Sequence, residues 1–214
     1  MVTRRARATT ATVVSLCRQR LRRRFGARVA WLLATLVAVI FGGVGAGADV
    51  GTDGSVVLGN AMRWLCWLGA GPLALSAALS PRARDRQDGV VALLARYGAG
   101  GARLTSGRFV AAAVETTLRI LVPAMICCAM IAVAGRLYAG LVLIAGVLAT
   151  SLIAGVMLGV VGAGCGLWGG DRGRIVLLAL VILPWAVADQ WAMPSLSVPG
   201  AIDAAIVFFV EGVV

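Results

Sequence analysis

The sequence predicts an all-α membrane protein, folded as a polytopic bundle of helices. Of its 214 residues, 60% are hydrophobic and only 14% are charged, and the mean hydropathy is +0.94. Soluble domains are nearer half apolar and about a quarter charged, so a soluble fold could not bury this much apolar surface. Several apolar runs also reach the length of about 18 residues that marks a membrane-spanning helix.

The positive charges are distributed unevenly along the chain. All 20 basic residues are Arg, and 17 of them fall in segments 1–28, 81–108 and 163–174. The alternation of predicted spans puts these three segments on one side of the membrane, whereas the other side receives Arg136 and most of the acids. Since cytoplasmic loops carry an excess of basic residues, we expect a cytoplasmic N-terminus. The net charge of +11 then points to membrane lipid as a partner and not to nucleic acid.

Residues 1–28 are predicted to form a basic interfacial helix ahead of the membrane domain, 29–214. Val14, Cys17, Leu21 and Phe25 share one helical face. Such a helix would lie in the headgroup region, with its arginines reaching lipid phosphates. The alternative is a signal peptide, whose cleavage site would be the small residues at 46–48.

Five full spans are predicted, over about 29–46, 56–79, 107–134, 139–162 and 175–191. The apolar tail 201–214 would reach only about 21 Å as a helix, against about 30 Å of hydrocarbon. We expect this tail to be half-inserted or to lie at the outer face. The fourth span contains Gly155-x-x-x-Gly159, a spacing that lets helices approach closely.

Of the charged residues inside predicted spans, Arg63, Glu115 and Arg119 are the candidates for a polar path within the membrane. Arg63 lies beside Trp64 and Trp67, so it could extend outward among aromatic anchors, or it could line a polar path between helices. Glu115 and Arg119 are four residues apart, which permits an ion pair on one helical face. That pair would be a plain contact at the cytoplasmic boundary or part of the same polar path.

The central segment 85–97 is amphipathic. Val90, Leu93, Leu94 and Tyr97 recur at the spacing of one helical face. Asp88 is the expected N-cap of this short helix and Gly98 is expected to end it. A helix of this kind would lie flat on the membrane or be held by a partner.

Residues suited to catalysis or metal binding are scarce. The chain has no His and no Lys, and its five Cys form no CxxC pair. It also lacks the phosphate-binding pattern G-x-x-x-x-G-K-[ST]. We therefore expect no enzymatic activity, no metal site and no cofactor in this chain.

The order of these features resembles the ABC-2 type permeases of ABC exporters, and most closely the haem exporter protein B family of cytochrome c maturation. The resemblance covers roughly residues 12–195. It is carried by the basic amphipathic N-terminal helix, the motif Asp85-Arg-Gln-Asp88-Gly89 with the following Leu93-Leu94, and the stretch from Asp171 to Pro184.

The resemblance implies a transport subunit of the bacterial inner membrane, driven by a separate ATP-binding cassette ATPase and working as a homodimer or with a paired permease chain. Haem would be the cargo if the narrower likeness holds. The central segment would then be a coupling helix, with contact residues Asp85, Arg86, Asp88, Gly89, Leu93, Leu94 and Arg96. A chain from a different class, a non-transporting scaffold or accessory subunit of a membrane complex, is the alternative.

Overall fold

The computed structural model describes residues 2–47, 53–78, 89, 92, 101–135, 137, 140–168, 172–190 and 197–212, and every regular element in these ranges is a helix. The long helices are α1 (Val2–Arg22), α2 (Phe25–Gly47), α5 (Gly101–Val133), α6 (Leu141–Cys165) and α7 (Arg172–Gln190). Between α2 and α5 lie α3 (Gly54–Trp64), a π-helical stretch (Leu65–Ala70) and α4 (Gly71–Ala78). The last helix, α8 (Val198–Ile206), continues into a second π-helical stretch (Val207–Glu211).

Three helices are long and apolar enough to cross a membrane: Phe25–Gly47, Gly101–Val133 and Leu141–Cys165. The predicted class, an all-helical chain with membrane-spanning helices, is confirmed at this level. Predicted spans 56–79 and 175–191 coincide with helical structure at Gly54–Ala78, interrupted by the π-helical stretch, and at Arg172–Gln190. The count of five full spans stays a prediction.

Helix α1 packs along α5, a contact that the sequence did not predict, and its interfacial position stays a prediction. Val13 fills the space beside Gly107, and Arg22 contacts Glu115 further along. The two helices therefore run in the same direction. Leu21 of the predicted face is buried and Cys17 packs against Val13 and Leu104, whereas Phe25 is exposed, so the predicted face is buried only in part. The N-terminal segment also ends earlier than predicted, because the chain bends at 23–24 and α2 begins at Phe25.

Helices α5 and α6 lie antiparallel with their backbones in close contact. A Cβ atom on Gly159 would be 2.6 Å from Ala113 Cα, and one on Gly155 would overlap the backbone of Thr117. The Thr116 hydroxyl donates to the carbonyl of Gly155 across this contact. The Gly155-x-x-x-Gly159 spacing therefore does mark a helix–helix contact.

The C-terminal segment packs against the bundle, and its position in the membrane, half-inserted or at the outer face, stays a prediction. Ser197 caps α8 by accepting a hydrogen bond from Gly200 N at 3.0 Å. Phe209 packs on Gly146 of α6, and Thr150, one turn later in α6, is bonded to the carbonyl of Ala205. The segment thus runs antiparallel to α6. Its residues Ile206 and Val210 are fully buried.

A buried charge cluster as the candidate functional site

The polar centre of the described bundle lies on one face of α5. Glu115 and Arg119 are separated by one helical turn, so their side chains project from the same face. Both are fully buried. Glu115 Oε2 lies 3.9 Å from Arg119 Nη2, which confirms the predicted ion pair, although at a distance too long for a hydrogen bond.

The closer partners of Glu115 come from α1. Arg22 Nε donates to Glu115 Oε1 at 2.7 Å, and Arg18 Nε donates to the same oxygen. Arg18 and Arg22 are also one turn apart on their own helix. The parallel packing of α1 on α5 brings this pair of arginines level with the carboxylate. We call Arg18, Arg22, Glu115 and Arg119 the Glu115 cluster.

Arg119 connects the cluster to α2. Its Nη1 donates to the carbonyl oxygen of Ala27 in the first turn of α2, and its guanidinium carbon lies 5.1 Å from the ring centroid of Trp31. A cation over an indole face is stabilised by the ring quadrupole. Arg119 therefore holds α2 against α5 by a hydrogen bond and by a cation–π contact.

The charges of the Glu115 cluster do not balance. Three guanidinium groups surround one carboxylate, which leaves two positive charges in excess. Two buried atoms of the cluster, Glu115 Oε2 and Arg119 Nε, lack a hydrogen-bond partner among the described residues. An unpaired polar group in a low-dielectric interior is costly. The cluster can accept a further anion, but it holds no nucleophile beside a base.

Arg63 belongs to a separate group, the Arg63 cluster, formed with Asp203 and Glu211. Arg63 Nη1 lies 2.7 Å from Glu211 Oε1, and Arg63 Nε donates to Asp203. The same Nη1 donates to Asn60 at 3.0 Å. The two predicted roles of this guanidinium, extending outward among aromatic anchors or lining a polar path, stay predictions. The guanidinium joins α3 to the C-terminal segment.

The three predicted intramembrane charges are thus divided between two sites. Glu115 and Arg119 come together, whereas the contacts of Arg63 are with acids at the far end of the chain. Sequence reasoning missed the roles of Arg18 and Arg22, although their spacing of four matches that of Glu115 and Arg119. It also missed Asp203 and Glu211, whose signal was the presence of two acids in an otherwise apolar tail.

The predicted coupling segment falls largely outside the described residues. Asp85, Arg86, Asp88, Leu93, Leu94 and Arg96 all lie outside them. Gly89 is described and adopts φ +68°, in the left-handed region that favours glycine. A right-handed helix therefore does not begin at Gly89, and the expected N-cap, Asp88, lies outside the described residues. Ala92, three residues later, is helical and exposed.

Metal-binding groups of three or more His, Cys, Asp or Glu side chains are absent from the described part of the chain. Cys66, Cys127, Cys128 and Cys165 are buried free thiols, packed among apolar side chains. Comparisons of the chain with protein-family models, with curated proteins and with solved structures found no match.

Proposed function

We propose that this chain is the membrane subunit of an ABC-type exporter in a bacterial inner membrane, with its N-terminus in the cytoplasm and a separate ATPase subunit as the energy source. One observation carries the proposal. The amphipathic, arginine-rich segment 79–100 connects α4 to α5 at the end of the bundle where α1 packs and where α7 begins beside Ala78. A partner at that end would meet all the arginine-rich segments together.

The packing of α4 and α5 suits transmission of a movement from segment 79–100. Helix α4 contacts α6 with little space between them, since a Cβ on Gly162 would lie 2.7 Å from Ala74 O. Helix α5 is tied to α1 and α2 through the Glu115 cluster. A force applied between α4 and α5 would therefore move these helices together as packed bodies.

A second permease chain, identical or paired, is part of the proposal. The described interior is filled by fully buried apolar side chains such as Leu58, Met62 and Ile131. Its charged residues are engaged in ion pairs. A path for cargo would consequently form between two chains and not within one.

The decisive experiment compares two aspartate substitutions in segment 79–100. Leu93→Asp puts a carboxylate on the apolar face expected to meet the ATPase, where desolvating it without a partner costs several kcal/mol. Ala92→Asp adds the same charge at a neighbouring exposed position. After purification from native membranes, we expect wild type and Ala92→Asp to retain an ATP-hydrolysing subunit and Leu93→Asp to lose it.

Equal retention of the ATPase by Leu93→Asp and Ala92→Asp would refute the coupling role of this face. A wild-type complex without any ATP-binding subunit would refute the exporter proposal and favour the scaffold or accessory role. The chain purified alone should not hydrolyse ATP, because it has neither a phosphate-binding loop nor a Lys to contact a phosphate.

A further inference from the structure

The two α1 arginines of the Glu115 cluster use only part of their hydrogen-bonding capacity. Each donates its Nε to the same oxygen, Glu115 Oε1. Their terminal amino groups make no hydrogen bond to any described residue. The side chains of Arg18 and Arg22 are 34% and 50% exposed. Two partly exposed guanidinium groups, one turn apart, therefore have terminal donors that the described residues leave unused.

These donors lie at a site that already carries excess positive charge. Glu115 neutralises one of the three arginines around it, and it is itself fully buried. Charges in and near a low-dielectric region interact strongly. An anion beside Arg18 and Arg22 would bring the cluster closer to neutrality without disturbing the contacts to Glu115.

The arrangement of the donors fits a phosphate. A planar guanidinium group can donate two parallel hydrogen bonds to two oxygens of one phosphate, which makes arginine the preferred residue for phosphate recognition. Exposed apolar side chains are also present on the two helices that pack near α1: Phe25, at the start of α2, is 81% exposed, and Val110 and Val114 of α5 are 47% and 38% exposed.

We propose that Arg18 and Arg22 bind the phosphate of an anionic phospholipid headgroup at the α1 end of the bundle, with Glu115 holding the two guanidinium groups in place. Exposed apolar side chains of α2 and α5 would contact the acyl chains. This is a defined lipid site, distinct from general attraction between arginines and a membrane surface. It does not depend on the proposed transport function.

The test measures lipid binding to the purified full-length chain in detergent, by native mass spectrometry with phosphatidylglycerol and with phosphatidylcholine. We expect wild type to prefer phosphatidylglycerol. The variant R18Q/R22Q should bind it about tenfold more weakly, as expected for the loss of charge-assisted hydrogen bonds. It keeps Glu115 facing Arg119, so the buried charges stay balanced.

The matched control is R23Q/R28Q, which removes the same charge from two exposed arginines at the bend and the start of α2. This control should keep the wild-type preference. If it loses as much binding as R18Q/R22Q, or if wild type does not distinguish the two lipids, the site does not exist. Displacement of the lipid by millimolar inorganic phosphate would overturn the lipid assignment in favour of a soluble anion.

A further variant covers the case in which R18Q/R22Q does not fold. R18K/R22K preserves the charge but replaces each planar fork with a point charge. We expect a weaker preference for phosphatidylglycerol than in wild type. Undiminished preference would overturn the role of paired guanidinium donors.

Discussion

Glu115 is the residue on which the contacts between α1 and α5 depend most. Its carboxylate receives Arg18 and Arg22 from α1 and lies beside Arg119 of its own helix. Without the negative charge, three guanidinium groups would face one another in a buried region. The Glu115 carboxylate therefore determines whether the arginines of α1 and α5 are held by a shared negative charge or repel one another.

Replacing Glu115 by Gln should destabilise the protein by about 3–5 kcal/mol, the usual cost of removing one partner from a buried ion pair. The measurement is thermal unfolding of the purified protein in detergent. Arg28→Gln, at an exposed position, should change the free energy of unfolding by less than about 0.5 kcal/mol. A Glu115→Gln protein as stable as this control would mean that the cluster contributes nothing.

The Arg63 cluster should show direct coupling between α3 and the chain's last helical residues. We expect a double-mutant cycle of Arg63→Gln and Glu211→Gln to give an interaction energy of about 0.5–3 kcal/mol. Coupling of Arg63 to Asp203 should be smaller, because Asp203 is half exposed and water screens its charge. Equal effects in the two cycles would contradict the assignment of Glu211 as the main partner.

Among whole elements, α6 depends most on small residues. Its Gly155 and Gly159 meet the backbone of α5, and its Gly162 meets that of α4, with no room for a side chain. Gly43, in α2, is a helical glycine with nothing within 4 Å of its would-be Cβ. Substitutions at Gly155 and at Gly43 therefore separate the packing effect of an added methyl group from its effect on helix propensity.

Gly155→Ala should lower the free energy of unfolding by about 1–3 kcal/mol, the range for overpacking a tight contact. Gly43→Ala should raise it by about 0.5–1 kcal/mol, because alanine is the better helix former. Thermal unfolding in the same detergent compares the two directly. Stabilisation by both substitutions would mean that α5 and α6 are not in backbone contact.

At the scale of the whole molecule, the arginine distribution predicts which end of the bundle faces the cytoplasm. In a background without the five native cysteines, Gly51→Cys should react with a membrane-impermeant maleimide added outside intact cells. Gly100→Cys should react only after the cells are opened. Labelling of position 100 from outside would reverse the predicted orientation.

The helical class and most helix positions could be predicted from the sequence, because long apolar runs and the Gly155-x-x-x-Gly159 spacing are local signals. The Glu115–Arg119 pair was predictable for the same reason. The other partners of these residues could not be predicted from the sequence. Arg18 and Arg22 are 97 and 93 residues away from Glu115 in the sequence. Arg63 is 140 residues away from Asp203 and 148 away from Glu211.

The contacts that the sequence did not predict have a common physical origin. A pattern of apolar residues shows that a helix has a buried face, but it does not show whether lipid or another helix covers that face. The sequence of α1 is compatible with both, so its packing on α5 could not be distinguished from an interfacial position. The conformation of Gly89 was missed because glycine tolerates either sign of φ.

The parallel packing of α1 on α5 has a consequence for the order in which the protein is assembled. Arg18 and Arg22 are synthesised 97 and 93 residues before Glu115, an interval of roughly 5–20 s at ordinary translation rates. During that time the α1 arginines cannot meet Glu115. Glu115 then enters the membrane with Arg119 already one turn behind it, so its charge has a partner from the moment of insertion. Docking of α1 would thus be a late step, completed only after the segments between it and Glu115 have been inserted.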